Sequence, residues 1–188
     1  QVDSMDGSTN TAIQLGFENV DASGFTGFGA SITGTAKANS ITGSPLTDSI
    51  VSGAGVDTVT ATAGNDVIDL GDGNDTLEMS TTLVEARSGG GVTDSYAGGA
   101  GTDILKILQV TTGLVDADLD LLTSVEHLSL FAGINTVALG AEAIAGGIIT
   151  VTGAPTHVDT INATKAFAEQ AGLTINFGVT GTDVLSIA

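Results

Sequence analysis

The sequence contains no cysteine and no tryptophan, and only two prolines and one tyrosine. Without cysteine, neither a disulfide framework nor thiolate metal chemistry is available to stabilise the chain. Basic residues are also scarce, because four lysines and arginines stand against 22 acidic residues and give a formal net charge of −18. A surface of this charge repels nucleic acid, so we expect no nucleic-acid partner and consider cations instead.

Long hydrophobic runs are missing too: no stretch of about 18 apolar residues occurs, so we expect no membrane insertion. The sequence begins at Gln1 without an initiator methionine and ends at Ala188 in what reads as the middle of a repeat, so we expect a piece of a longer protein. Glycine, by contrast, is plentiful, with 27 residues. Together with many small and β-branched residues, this composition favours stacked short strands over a core of large aromatic side chains.

A nine-residue repeat runs through the first half of the chain. Residues 61–78 read ATAGNDVIDLGDGNDTLE, in which two units carry Gly, Asn and Asp at the same places. When the units are extended upstream in steps of nine, the sixth position is polar and the eighth position is apolar in every unit. The sixth positions hold Asn39, Asp48, Asp57, Asp66 and Asp75, and the eighth positions hold Ile41, Ile50, Val59, Ile68 and Leu77. After a break at residues 79–88, the phase resumes at 89–106 with Asp94 and Asp103, and a last copy at 178–186 carries Asp183 and Leu185.

This period predicts an all-β fold, a parallel β-solenoid in which two nine-residue units make one coil. Each unit combines a glycine-bearing turn with a short strand whose eighth residue points inward. Asp57 is then expected over Asp75, and Asp48 over Asp66, at about the ~4.8 Å spacing of neighbouring strands. At roughly 5 Å, two such carboxylates repel each other by about 1 kcal/mol in water and about 3 kcal/mol at an effective dielectric constant of 20. A column of carboxylates therefore needs a counter-ion.

Calcium is the cation that such stacked turns suit best. Calcium accepts six to eight oxygen ligands from carboxylates and carbonyls in a flexible geometry, whereas magnesium requires a tighter octahedron and retains its waters. Zinc prefers His or Cys ligands, and the chain offers only His127 and His157. The simpler alternative is that the aspartates only cap turns, as Asp and Asn often do.

The repeat units resemble a known family. GGAGTDILK (98–106) has every defined position of the G-G-x-G-x-D-x-U-x nonapeptide, and LGDGNDTLE and SGAGVDTVT lack only the first glycine. Over residues 34–106 the chain resembles the repeats-in-toxin (RTX) calcium-binding family, which implies a parallel β-roll, commonly in proteins exported by type I secretion. The resemblance implies calcium ligation by Asp48, Asp57, Asp66, Asp75, Asp94 and Asp103, with carbonyl groups of the turns around Gly53, Gly55, Gly64, Gly71, Gly73, Gly98, Gly99 and Gly101. Asp72, at the variable third position, is a further candidate, for which the interpretation as a solvated charge is at least as good as that of a ligand.

The first repeat units depart from the pattern. Lys37 occupies a glycine position, Asn39 replaces an aspartate, and Pro45 and Leu46 lie within a turn. We expect these coils to stack with weak calcium binding or none. We therefore divide the chain into non-calcium β coils at 1–33, a calcium-binding β-roll at 34–106 and a continuing solenoid at 107–188.

The C-terminal part contains the one helix that the sequence predicts. Asn162 caps a short helix at 163–171 and Gly172 ends it, with strands expected before it at 148–151 and after it at 173–177. Residues 116–120 resemble the start of an EF-hand loop, but Leu121 and His127 occupy the positions that require Gly and Glu. We expect a charged loop or a short helical turn there, with Leu119, Leu122 and Val125 facing the core.

No catalytic signature accompanies these repeats: the sequence has no G-x-S-x-G, HExxH or phosphate-binding loop, and we predict that the chain is not an enzyme. The first functional hypothesis is an extracellular, calcium-stabilised structural module that assembles with itself in a surface layer, filament or matrix. The second is a calcium-dependent secretion or adhesion module of a larger toxin, adhesin or hydrolase, with cell-surface polysaccharide as a possible partner. A polysaccharide lyase would need a basic residue in its cleft, and an ice-binding face would need a regular threonine ladder; both rank below the first two.

Overall fold

The chain winds as a parallel β-solenoid in the computed structural model, which describes residues 18–80, 94–178 and 182–188. All the strand pairs of this part are parallel, and the two α-helices in it are short, so the predicted fold class is confirmed. Residues 1–17 of the expected non-calcium coils and the glycine turn at 89–93 lie outside the described residues.

Two large sheets form the opposite walls of the N-terminal coils. Sheet A has the strand order β1-β3-β6-β9-β12-β14-β16-β18, with bounds β1 (Asn19–Asp21), β3 (Ser40–Thr42), β6 (Thr58–Thr60), β9 (Thr76–Met79), β12 (Ile104–Ile107), β14 (His127–Ser129), β16 (Thr150–Thr152) and β18 (Thr174–Asn176). Sheet B has the order β13-β10-β7-β4-β2, with bounds β2 (Ser31–Thr33), β4 (Ser49–Val51), β7 (Val67–Asp69), β10 (Ser95–Ala97) and β13 (Leu122–Thr123).

Two smaller sheets complete the described coils. Sheet C is formed by the glycine turns, and its strands are β5 (Ala54–Gly55), β8 (Asp72–Gly73) and β11 (Ala100–Gly101). Sheet D lies in the C-terminal part, and its strands are β15 (Thr136–Leu139), β17 (Thr160–Ala163) and β19 (Val184–Ile187).

The eighth residue of each repeat unit points into the core, as the period predicts. Ile41 pairs with Val59 and Val59 with Leu77 along sheet A, while Ile50 pairs with Ile68 along sheet B. All five side chains are buried. Burial of each such side chain contributes about 1.5–3 kcal/mol, so these two columns hold the walls of the solenoid together.

The length of a coil changes along the chain. The repeat coils advance by 18 residues, the coil that contains the interruption advances by 28, and the C-terminal ladder advances by 24. The longer C-terminal coils contain helical segments: a 3-10 helix at Asp116–Leu119, α1 at Ala141–Gly146 and α2 at Lys165–Ala168. These segments contact one another in sequence order, because successive coils place them on one side of the solenoid.

The expectation of a single helix at 163–171 is wrong in number and extent. Asn162 belongs to β17, and α2 begins after Thr164, whose hydroxyl accepts the Phe167 N–H at 3.3 Å. The helix is short because sheet D requires extended backbone through Ala163. The sequence reading also missed α1, which Gly147 ends after six residues with a φ of 101°.

The segment at 116–125 agrees with its prediction. It forms the 3-10 helix followed by β13, and Leu119, Leu122 and Val125 are buried. Among the described residues, no helix is long and apolar enough to cross a membrane.

Candidate metal centre

The sixth-position residues of alternate repeat units form a continuous ladder, which we call the Asp75 ladder (Asn39, Asp57, Asp75 and Asp103). Each backbone N–H donates to the carboxylate Oδ1 of the member in the next coil, at 2.7 Å for Asn39 to Asp57, 2.7 Å for Asp57 to Asp75 and 2.8 Å for Asp75 to Asp103. The predicted stacking of Asp57 and Asp75 is therefore confirmed.

The second carboxylate oxygens of this ladder are buried and have no hydrogen-bond partner among the described residues. They are the Oδ2 atoms of Asp57, Asp75 and Asp103. Leaving a buried acceptor unsatisfied costs about 1–3 kcal/mol, and more when it is charged. Three such atoms in one column are the strongest sign in the structure of a cation-binding site, because calcium coordinates carboxylate oxygens.

The turns beside the ladder supply a wall of backbone groups. In sheet C, the Asp72 N–H donates to the Gly53 carbonyl and the Ala100 N–H donates to the Gly71 carbonyl, both at 2.9 Å. The side chain of Asp72 is exposed. Gly101 has a φ of 138°, and a Cβ there would overlap the carbonyl oxygen of Gly73. Only glycine allows the turns to approach this closely.

The glycine positions implied by the family resemblance lie in these stacked turns. Positive φ angles occur at Gly53, Gly55, Gly64, Gly71, Gly99 and Gly101, whereas Gly73 and Gly98 are restricted by close backbone approach. Stacked turns of this kind can present carbonyl oxygens to a cation beside the carboxylates, which is the mixed oxygen donor set that calcium accepts.

A parallel column, the Asp66 ladder (Asp48, Asp66 and Asp94), runs along the other turns. The Asp48 N–H donates to Asp66 Oδ1 at 2.8 Å, and the Asp66 N–H donates to Asp94 Oδ1 at 2.6 Å. Asp48 differs from the aspartates of the Asp75 ladder, because Ser44 donates its N–H to Oδ2 and its hydroxyl to Oδ1, both at 2.6 Å. The protein itself satisfies the Asp48 carboxylate.

The electrostatics of both ladders disfavour the ionised carboxylates in the protein alone. Burial raises the pKa of Asp66 to about 7, with further increases from the charges of Asp48 and Asp94. Burial likewise raises the pKa of Asp75 to about 6 and raises the pKa of Asp103, while backbone N–H donors oppose the shift. Asp66, Asp75 and Asp103 therefore retain protons more readily than free aspartates do, unless a cation takes the place of the protons.

The sequence analysis missed a third column, the Asp159 ladder (Asn135, Asp159 and Asp183). The Asn135 N–H donates to Asp159 Oδ1 at 3.2 Å, and the Asp159 N–H donates to Asp183 Oδ1 at 2.8 Å. The final repeat copy thus places Asp183 in a ladder, but 24 residues from its neighbour. The signal available in the sequence was this spacing, with an apolar residue two positions after each member: Val137, Ile161 and Leu185.

The amide nitrogen of Asn135 makes contacts in this ladder that an aspartate cannot make. Its amide nitrogen donates to the carbonyls of Phe131 at 2.9 Å and Gly133 at 3.1 Å, and to Asp159 Oδ1 at 2.9 Å. The Ala154 N–H donates to Asp159 Oδ2. An amide group therefore joins turn carbonyls to the next carboxylate, a role that a cation can take where the ladder holds only aspartates.

No group of three or more His, Cys, Asp or Glu side chains suited to a metal comes together in the described part of the chain. The carboxylates are spread out in this way because each coil contributes only one carboxylate to a ladder. A cation would be held by few carboxylates and several carbonyls, which fits calcium and not zinc.

His127 Nε2 contacts Thr152 Oγ1 at 2.8 Å and burial lowers the pKa of His127, whereas His157 contacts Thr156 Oγ1 at 3.0 Å on the surface.

Residues 42–77 match the family model of the RTX calcium-binding nonapeptide repeat, described as four copies. This segment is an RTX repeat array, so the resemblance read from the nonapeptides is confirmed there. No curated protein and no solved structure matches the chain. RTX nonapeptide repeats bind calcium in general and typically occur in secreted proteins. The repeat array at residues 42–77 therefore indicates a calcium-binding module of a structural or secreted kind.

Proposed function

We propose that the chain is an extracellular structural module whose repeat coils fold around calcium and which assembles with itself in a surface layer, filament or matrix. The observation that carries the proposal is the Asp75 ladder. Its three unpartnered, buried Oδ2 atoms oppose folding until a cation binds, so calcium acts as a structural component.

An extracellular location agrees with this requirement. Extracellular calcium modules bind the ion at about 10⁻⁴–10⁻³ M, a range in which folding depends on reaching a calcium-rich environment. The family match supports the same location, because RTX repeats typically occur in secreted proteins. The chain has no cysteine, and calcium would provide the stabilisation that disulfides give to many secreted proteins.

The last coil supports self-association. β18 and β19 are the end strands of sheets A and D. Leu185 is in register with Ile161, yet Leu185 is 41% exposed whereas Ile161 is 0% exposed. Val184 and Ile187 are exposed beside it. An unpaired strand edge with apolar side chains can accept a further coil, and a coil supplied by a second copy would give a head-to-tail contact that repeats into a filament.

Light scattering and electron microscopy with and without calcium test this proposal. The wild-type chain should form elongated particles in calcium and dissociate in chelator. Leu185→Asp should prevent assembly while circular dichroism shows normal calcium-dependent folding. Val110→Asp, a matched change at an exposed apolar residue outside the repeat turns, should assemble normally. A chain that stays monomeric at saturating calcium would contradict self-assembly.

A calcium-dependent secretion or adhesion module of a larger protein is the second candidate. It is favoured by the RTX match, because those repeats typically occur in secreted proteins of several kinds. A monomeric, calcium-folded chain that binds cell-surface polysaccharide would support this second function over assembly. The proposal includes no catalysis: the two histidines contact threonine hydroxyls, which supports a structural role for both.

A further inference from the structure

The Asp75 ladder continues one coil beyond its last aspartate. The Asp103 N–H donates to Oε2 of Glu126 at 2.9 Å, as the Asp75 N–H donates to Oδ1 of Asp103 at 2.8 Å. The strand register agrees, because Ile104 pairs with His127 as it pairs with Thr76 in the preceding coil. We propose that Glu126 is the terminal acidic calcium ligand of the Asp75 ladder and completes a binding site with the turn at 98–103.

Glu126 lies in no nonapeptide, and the reason is a shortened turn. In the preceding coil, five residues (98–102) separate Ala97 at the end of β10 from Asp103. In the next coil, Thr123 pairs with Ala97, and only Ser124 and Val125 precede Glu126. Ser124 has a φ of 52° and is the one non-glycine residue with positive φ among the described residues. The tight turn starts the next strand early, and the longer glutamate side chain reaches the ladder.

The site has an unsatisfied buried ligand of its own. Asp103 is fully buried, and its Oδ2 atom has no hydrogen-bond partner within the described segments. A Cβ added to Gly98 would lie 2.7 Å from Asp103 Oδ2 and would also overlap the Ser124 carbonyl oxygen. These two oxygens therefore face the same small space beside Gly98.

The ligand chemistry points to calcium. One buried carboxylate, one glutamate carboxylate and a turn carbonyl are all hard oxygen donors, and calcium accepts this mixture in an irregular geometry. No lysine or arginine of the described residues forms an ion pair with Asp103 or Glu126, since the ion pairs found there join Lys37 to Glu18, Lys106 to Glu78 and Lys165 to Glu169. Two neighbouring carboxylates with no basic partner in the described segments favour a bound cation.

The inference rests on the proposed calcium-dependent folding, and its test separates the two. Glu126→Gln retains a side-chain oxygen that can accept the Asp103 N–H but removes the charge. Calcium titration by calorimetry on the full chain should show one ion fewer than in the wild type, or one ion bound at least about tenfold more weakly. Glu142→Gln, which removes a half-buried glutamate at the start of α1, is the matched control and should bind as the wild type does.

The outcomes are distinct. If the wild-type chain binds no calcium, the proposed function fails. If the wild type binds calcium and Glu126→Gln binds the same number of ions with the same affinities, Glu126 is only a hydrogen-bond acceptor and the inference fails. If Glu126→Gln does not fold at the calcium concentration that saturates the wild type, a titration to about a hundredfold higher calcium decides: recovery of folding at higher calcium supports the ligand role, and failure at every calcium concentration contradicts it.

Discussion

Replacing Asp75 by asparagine should change the stability of the protein in opposite directions with and without calcium. In the calcium-free protein, the Asp75 carboxylate is buried between Asp57 and Asp103, and its Oδ2 atom has no partner among the described residues. Asparagine keeps an oxygen for the Asp57 N–H, removes the charge and adds two donors. Asn135 shows how an amide is accommodated at such a position, because its nitrogen donates to two turn carbonyls and to the next aspartate.

The expected magnitudes follow from these contacts. Satisfying one buried oxygen and removing its charge should stabilise the calcium-free protein by about 1–3 kcal/mol. In calcium, Asp75 would contribute to the sites above and below it. A loss of about tenfold in affinity at each of two sites lowers stability by about 3 kcal/mol, since each factor of ten is worth about 1.4 kcal/mol.

Urea unfolding followed by circular dichroism measures both effects. The experiment is best performed at about pH 8, where Asp75, whose pKa is about 6, is ionised. Asp69→Asn, at an exposed position of β7, is the matched control and should change little in either condition. If Asp75→Asn destabilises the calcium-free protein as much as the calcium-bound one, the carboxylate column is not the obstacle to folding and the reasoning fails.

Three further predictions follow from the ladders and turns. The folded-state pKa values of Asp66 and Asp75 are raised from 3.8 to about 7 and about 6, so the calcium-free protein should be most stable at acid pH. Its free energy of unfolding should fall as the pH rises from about 3.8 to about 7. Unfolding measured at several pH values would refute this trend if stability rose instead. Gly101→Ala should destabilise the repeat coils by about 1–3 kcal/mol or more, because the φ of Gly101 is 138° and a Cβ would overlap the Gly73 carbonyl. Gly24→Ala, with nothing near its Cβ, is the control and should be neutral in thermal unfolding. Asn135→Asp should make the Asp159 ladder dependent on calcium, and equal melting temperatures of this variant with and without chelator would contradict the role assigned to the amide.

The repeat coils were predictable from the sequence because the sixth and the eighth position of the unit each have the same structural role in successive coils and therefore carry the same kind of residue. The eighth position must be apolar to face the core, and the sixth must be a short acceptor for the next coil's N–H. These two requirements fix both the register of the strands and the composition of the ladders. The nonapeptide pattern was therefore sufficient to predict the solenoid fold and the stacking of Asp57 over Asp75.

The C-terminal coils were less predictable because the contacts that determine their structure join residues of different coils. Asn135 and Asp159 lie 24 residues apart, and helical segments occupy the intervening chain, so no short motif marks them. The start of α2 depends on the pairing of β17 with β15, a tertiary contact that overrides the preference of Asn162 for a helix cap. Glu126 was not predicted as a member of the ladder because it reaches the ladder from a shortened turn, with a longer side chain than aspartate.

Hydrogen exchange of backbone amides in the full chain, with saturating calcium and with excess chelator, tests the central claim most directly. Stacked coils contact mainly their neighbours, so local stability can differ along the solenoid. Peptides from residues 48–78 and 94–106 should lose protection when calcium is removed, while those from 127–176, where Asn135 replaces the cation, should retain it. Unchanged protection of the repeat coils in chelator would contradict the claim that calcium holds the aspartate ladders together.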